Sequence, residues 1–338
     1  MTPVVRPMLI LLTLAALIVP ALALARPTAP VDPAIAHANS VRSGPIAYRD
    51  GWYGTGDTRL HYVEAGRGPL VILYHGFPSF WYSWFDQMEV LKHRYRVVAV
   101  DGLGANLSGK PDDLAPYRVA ALAKQLDGLA RHLNGKRRFT LVGHDWGAAL
   151  AFAYAQAYPD RLRGVAGISA PPFNQFLDLV HGDAEQQARS GYMQWFRSLT
   201  LADIKAQRTA TQIFEASYRS LIASGALTAA ESDLFRTVLS DPATMNGGMN
   251  WYRANVPPFA EIGDDDFWPA REVKLAVPSL LIWGNADKTF VPSFIDRFQA
   301  AAPQAQVVRI DGVNHWATME TDPTTTKALA AFVDRVAR

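Results

Sequence analysis

Short apolar runs recur along the chain, and several stop at a residue able to do chemistry. PLVILYHG (69–76), RYRVVAVD (94–101) and FTLVGH (139–144) have the length and composition of buried strands. RLRGVAGIS (161–169) reads as another. TRLHYVEAG (58–66) alternates instead, which predicts a strand with one wet face. Between these runs, WYSWFDQMEVLKH reads as a crossover helix, and VAALAKQLDGLARHLNG (119–135) has helical periodicity that ends at Gly135. GAALAFAYAQAY comes after FTLVGH as a second, apolar helix. Strands alternating with helices predict an α/β fold whose mostly parallel central sheet is flanked by helices on both faces. Such sheets place their sites beyond the carboxyl ends of the strands. His75, Asp101 and Asp145 all fall there.

The rhythm breaks at PPFNQF (171–176). The segment after it reads mainly as helices, among them ADIKAQRTATQIFEASYRSLIA and AAESDLFRTVLS. The acidic turn IGDDDFWPAREV (262–273) closes it; without a histidine nearby, its carboxylates read as a solvated loop and not a metal site. Strand patterns then resume in VPSLLIWGNAD (277–287) and AQVVRIDGVNHW (305–316), and TTTKALAAFVDRVAR is a closing amphipathic helix. The expected organisation is a core in two parts, 55–170 and 273–338, with an inserted helical cap over 171–272.

The N-terminus departs from both patterns. LILLTLAALIVPALALA (9–25) is almost wholly apolar, follows one arginine and no acid, and ends in Ala-Leu-Ala. This predicts a signal peptide over 1–25, and hence an exported protein, periplasmic or secreted, with no stable membrane insertion after cleavage. An uncleaved anchor is the alternative, because the run approaches spanning length. Residues 26–54, rich in Pro, Ala, Gly and Ser, read as a lead-in with little structure of its own. With no cysteine, neither disulfides nor a lipid-bearing thiol can form after the leader. Lys+Arg 33 against Asp+Glu 31 offers no electrostatic case for a nucleic-acid partner.

The densest chemical signal is GHDWG (143–147), a strand-to-helix turn with an aspartate at its centre. Gly143 and Gly147 permit the close approach of strand and helix. A serine here would need a base at the moment of attack; Asp145 is already ionised. Its attack on a carbonyl gives a reactive anhydride, whereas attack on a strained or halide-bearing saturated carbon gives a stable ester. Water must then cleave that ester, which needs a histidine base and an oxyanion hole. His315 supplies the base and Asp287 its orienting acid, in the chain order that suits such a turn. Backbone N–H groups of Trp146 and Phe77, the latter in HGFP (75–78), are the candidate oxyanion donors.

From about residue 55 to 330 the chain resembles the α/β-hydrolase fold, and specifically its epoxide hydrolase branch of the soluble type, including secreted bacterial members. HGFPSFWYSWFDQ (75–87), GHDWGA, GNADKTF (284–290) and VNHWATMETDP (313–323) carry the likeness. DGLGANLSGKP (101–111) departs from the commoner D-x-R-G-x-G-x-S-x-x-P by lacking the arginine, and Asn314 stands where glycine is common. The resemblance implies two cap tyrosines that hold the epoxide oxygen. MNWYRANVP (249–257) assigns Tyr252, and YMQWF (192–196) assigns Tyr192, with Tyr218 as the substitute. It implies epoxide hydrolysis to a vicinal diol, with a small apolar epoxide and water as substrates and neither a metal nor an organic cofactor. Trp195, Phe196 and Trp251, with Phe173 and Phe176, are candidates to line the substrate pocket or to form the cap's own core. The rival is a haloalkane or haloacid dehalogenase on the same Asp–His–Asp set, with the indoles of Trp146 and Trp195 as halide donors. An esterase lacks its serine, and a binding protein would not need every catalytic part.

Overall fold

The computed structural model describes residues 32–338; the expected leader and the first residues of the lead-in lie outside them. In chain order the elements are α1 (Pro33–Val41), β1 (Arg49–Tyr53), β2 (Leu60–Ala65), β3 (Leu70–Tyr74), α2 (Phe85–Leu91), β4 (Arg96–Val100), α3 (Val119–Asn134), β5 (Phe139–His144), α4 (Trp146–Ala157) and β6 (Leu162–Ile168). Then come α5 (Phe173–Gly182), α6 (Ala184–Arg189), α7 (Gly191–Ser198), α8 (Leu201–Ala206), α9 (Thr209–Ser224), α10 (Ala229–Leu239) and α11 (Pro242–Asn255). β7 (Ser279–Gly284), α12 (Ser293–Ala301), β8 (Gln306–Ile310) and α13 (Thr324–Ala337) complete the fold.

Among the described residues the strands form one eight-stranded sheet, in the order β1-β2-β4-β3-β5-β6-β7-β8. β2 runs antiparallel to both β1 and β4, and the remaining pairs are parallel. β3 and β5 are buried along their whole length, and β4 in all but Arg96, because helices cover both faces, as parallel strands require. Helix α4 is buried nearly all round, which its run of alanines permits at close packing distance. Register sets where the strands stop. Tyr74 pairs with Val100 on one side and Gly143 on the other, so β3, β4 and β5 end level and deliver their exit loops to one place.

Helices α5 to α11 all lie between β6 and β7, so the insertion after β6 is helical as the sequence predicts. ADIKAQRTATQIFEASYRSLIA is two helices, not one. Arg208 adopts a left-handed φ of 52° and separates α8 from α9. α11 buries Met245, Met249, Trp251 and Tyr252 and is the cap helix whose residues reach the strand ends. Among the described residues, no helix is long and apolar enough to cross a membrane.

Two expectations near the N-terminus fail. The lead-in is not structureless: α1 is capped by the Asp32 side chain, and β1 is the edge strand of the sheet. Nor does β2 have a wet face. His61 is fully buried because Trp52 lies directly across from it on β1, with ring centroids 4.8 Å apart, and Asp101 binds it from the β4 end.

Candidate active site

β5 ends at His144 and α4 begins at Trp146, so Asp145 alone makes the turn. Its φ of 52° and ψ of −123° lie outside the regions open to L-residues at no cost, a strain of about 1–3 kcal/mol. The turn closes only because Gly143 lacks a side chain: a Cβ there would lie 2.0 Å from the Gly147 carbonyl oxygen. The Asp145 carboxylate is thereby pushed out beyond the sheet. Its Oδ1 accepts the Phe77 N–H at 2.8 Å. Gly76 makes that approach possible, since a Cβ on it would sit 2.2 Å from Oδ1. The N–H of Trp146 belongs to the first turn of α4, among the donors that the helix itself leaves free.

His315, from the loop after β8, lies between two carboxylates. Its Nδ1 donates to Asp287 Oδ2 at 2.9 Å, and its Nε2 lies 3.4 Å from Asp145 Oδ2. Asp287 is itself fixed through Oδ1, which accepts the Thr289 N–H at 2.7 Å. Burial would push the His315 imidazole down, but the Asp287 charge and the bonds to both aspartates outweigh it and hold the pKa at about 10. Burial would raise the Asp145 carboxyl, and the hydrogen bond and charge of His315 instead hold it below its ordinary value. The resting pair is therefore carboxylate and imidazolium at neutral pH.

His144 is a site residue that the sequence motifs do not single out. Its Nε2–H donates to the His315 carbonyl oxygen at 2.8 Å, tying the nucleophile turn to the histidine loop. Burial and the His315 charge push its pKa down to about 4, so it is a neutral donor. The GHD string carries it, but nothing local shows that its partner lies 171 residues on.

A cavity of about 370 Å³ opens over these groups, lined in part by Phe77, Asp145, Tyr192, Phe196, Tyr252 and His315. The two tyrosines come from α7 and α11, with ring centroids 6.3 Å apart, and Phe196 packs edge-on against both. Burial, with the charges of Asp145 and Asp287, raises the Tyr192 phenol well above its ordinary range; burial, with Tyr192 and Asp145, does the same for Tyr252. Both stay protonated donors. Trp195 lies at the rim, 44% exposed. On the other side of Asp145 a recess of about 20 Å³ is lined by Trp146, Phe176, Met193 and Phe290.

Of the candidate aromatics, Trp251 departs from its expected place in the pocket lining, and Tyr218 and Phe173 pack in the core. Trp251 lines neither space. Its indole donates to the Leu103 carbonyl at 2.7 Å and its ring stacks on His75, so it fastens the cap to the loop after β4. Tyr252, about 100° further round α11, lines the cavity instead. Tyr218, the substitute cap tyrosine, is fully buried, donates to the Pro78 carbonyl at 2.6 Å and stacks on Trp316. Phe173 is buried against Trp146.

Asp32, His61 and Asp101 form a second Asp–His–Asp group, with ligand atoms within 4.8 Å of one another. All three are buried, and every carboxylate oxygen already accepts an N–H, from Ala34, Trp81, Asn106 or His61. With an N–H on each carboxylate oxygen, that donor set suits a structural hydrogen-bond network.

Comparison with known proteins agrees with this architecture. The alpha/beta hydrolase fold family model matches residues 69–322. Epoxide hydrolase 3 of Mus musculus is 30% identical over 266 residues, which are 76% of this chain and 69% of the mouse protein. Epoxide hydrolase 2 of Caenorhabditis elegans is 29% identical over 272 residues, 76% of this chain and 72% of that one. The crystal structure of the Bacillus megaterium epoxide hydrolase in complex with an inhibitor superposes with a TM-score of 0.73 at 25% identity, covering 84% of this chain and 100% of the other. The fold and the site thus define an α/β-hydrolase-fold enzyme with an aspartate at the nucleophile turn. The chain belongs to the α/β-hydrolase fold family, in its epoxide hydrolase branch.

Proposed function

We propose that the protein hydrolyses an epoxide to a vicinal diol through a covalent ester on Asp145. The observation that carries this reading is the presence of Tyr192 and Tyr252 in the wall of the cavity that also holds Asp145 and His315. An epoxide needs an acid at its oxygen and a carboxylate behind its carbon; a halide needs neutral N–H donors and no acid.

In the first step an Asp145 oxygen bonds to a ring carbon as the carbon–oxygen bond of the ring breaks, with the two phenols hydrogen-bonded to the departing oxygen. Charge moves from Asp145 to the alkoxide. The imidazolium then no longer faces a carboxylate on its Nε2 side, and its proton ends on the alkoxide. His315 becomes the neutral base that the second step requires. It takes a proton from water, and the hydroxide attacks the Asp145 ester carbonyl. The oxyanion sits on the Phe77 and Trp146 N–H groups. Collapse expels the alkoxide, which takes the proton from His315 to complete the diol, and the regenerated Asp145 acid returns one to restore the ion pair. The balance is one epoxide and one water to one diol.

A dehalogenase on this scaffold would need two side-chain N–H donors converging on the halide. The Trp146 indole is buried without a partner and offers one, but Trp195 sits at the solvent rim and Phe77 has no polar side chain. The test is diol formation from styrene oxide run beside halide release from a bromoalkane. Diol without halide supports the reading; halide without diol overturns it. Export is a further part of the proposal, supported by the apolar leader and checked by N-terminal sequencing of protein from the periplasmic fraction, with Arg26 expected first.

A further inference from the structure

The Phe77 N–H is held by backbone that belongs to neither strand nor helix: β3 has ended at Tyr74, and the next regular piece is the 3-10 turn Trp81–Trp84. What aims it must come from elsewhere. On the near side, His75 accepts the Gly102 N–H at 2.9 Å and donates to the Gly76 carbonyl. From the cap, Tyr218 holds the Pro78 carbonyl. On the far side the anchor is Trp81, gripped twice. Its backbone N–H donates to Asp101 Oδ1 at 2.9 Å, and its indole Nε1–H donates to Asp32 Oδ2 at 2.6 Å.

Asp32 comes from the segment before the sheet and is only 1% exposed. Asn106 joins the two carboxylates, its amide donating to Asp101 at 2.8 Å and to Asp32 at 3.1 Å from a left-handed φ of 40°. The same segment is clasped further along. The Ser43 N–H donates to Glu89 on α2 at 2.7 Å, the Tyr48 hydroxyl also donates to Glu89, and the Tyr48 ring packs on Trp81 at 6.3 Å. Anchoring a short helix needs no buried charge. A carboxylate at 32 loses its hydration; Oδ1 caps α1 through the Ala34 N–H, and Oδ2 takes both the indole and the amide that fix the loop carrying Phe77.

We propose that Asp32 is a positioning residue for the ester-hydrolysis step: segment 32–48 is a clasp that, through Trp81, keeps the Phe77 N–H aimed at the Asp145 carboxyl. The inference rests on the epoxide-hydrolase reading. Loosening the clasp leaves the attack of Asp145 largely intact, because the turn itself fixes that side chain, and weakens the donor that the oxyanion needs.

The experiment compares wild type with Asp32→Ala, Asp32→Asn, Trp81→Phe and the double variant Asp32→Ala/Trp81→Phe, using styrene oxide. It reads kcat, KM, melting temperature and the fraction of enzyme carrying the ester by quenched-flow intact mass. Asp32→Ala is expected to lower kcat about tenfold, less than the hundredfold or more that deleting an oxyanion donor costs. KM should fall in parallel, leaving kcat/KM within about twofold, and the ester fraction should rise. Trp81→Phe should behave alike, and the double variant no worse than either single one. Asp32→Asn should recover most of kcat, since its carbonyl still accepts the indole N–H. A role confined to folding would lower the melting temperature or the active fraction without moving KM or ester level. The proposal is overturned if folded variants keep wild-type kcat, if kcat falls with no rise in ester, if the two single losses multiply, or if the variants do not fold. Wild-type enzyme that forms neither ester nor diol overturns the underlying reading instead, before any variant is compared.

Discussion

His315 Nε2 lies 3.4 Å from Asp145 Oδ2, so the base of the second step is ion-paired with the nucleophile of the first. An imidazolium with a pKa of about 10 is no base at neutral pH. Ester formation removes the Asp145 charge and with it part of what holds the proton. Asp145→Asn imitates that neutral state. The His315 pKa, followed by 15N NMR of the imidazole, is expected to drop clearly below 10 in this variant. An unchanged value would mean that Asp287 alone sets it and that alkylation does not switch the base on.

The same pair makes stability depend on pH with a definite sign. A histidine raised from 6.5 to about 10 by folding contributes stability that is fully present below 6.5 and lost as pH rises through 10. The melting temperature of the wild type should therefore fall between pH 7 and 10. His315→Gln should flatten that slope; a slope as steep as that of the wild type would place its origin elsewhere.

His315→Gln should also separate the two half-reactions. Attack by Asp145 does not need a neutral imidazole, whereas water activation does. One substrate equivalent should remain on the protein by intact mass, at Asp145 after peptide mapping, with turnover down by ~10²–10⁴. An unmodified, folded protein after incubation with styrene oxide would rule out the covalent route.

Tyr192→Phe and Tyr252→Phe each remove one phenol from the cavity and keep its ring packing against Phe196. Each is expected to slow the single-turnover alkylation of Asp145 by about ten- to a hundredfold, and the pair by more. Hydrolysis of ester already formed should change little. Equal slowing of both half-reactions would argue that the rings support the fold and not the departing oxygen.

His144→Leu leaves the part-buried His315 carbonyl without its N–H donor. The expected cost is about 1–3 kcal/mol of stability, together with a looser histidine loop. His144→Gln, which can still donate, should recover part of both in chemical denaturation and in kcat. Full stability in the leucine variant would show that water takes the place of the imidazole.

Much of the site is legible in the chain because its parts are short and locally determined. A glycine-flanked acid between an apolar strand and an apolar helix must turn sharply, and the sharpness presents Asp145. Asp287 and His315 each come after a strand pattern, and parallel strands ending level bring such residues together. Aromatic residues are harder to place. Tyr252 and Trp251 are neighbours on α11, yet one faces the cavity and the other the loop after β4. Composition cannot tell them apart, since both are apolar rings with a polar tip. β2 misled for a related reason: alternation predicts a wet face only where nothing covers it, and β1 with Trp52 does.

By itself the sequence determined the alternation of strand and helix, the inserted cap, and the order of nucleophile, acid and base, because backbone preferences and hydrophobic periodicity act over a few residues. Only the tertiary structure decided which donors hold those groups in place. Asp32 with Trp81, Tyr218 with Pro78 and His144 with His315 are separated by 49, 140 and 171 residues. A hydrogen bond needs only that two groups meet in space, and its partner leaves no mark on the residues beside it in the chain.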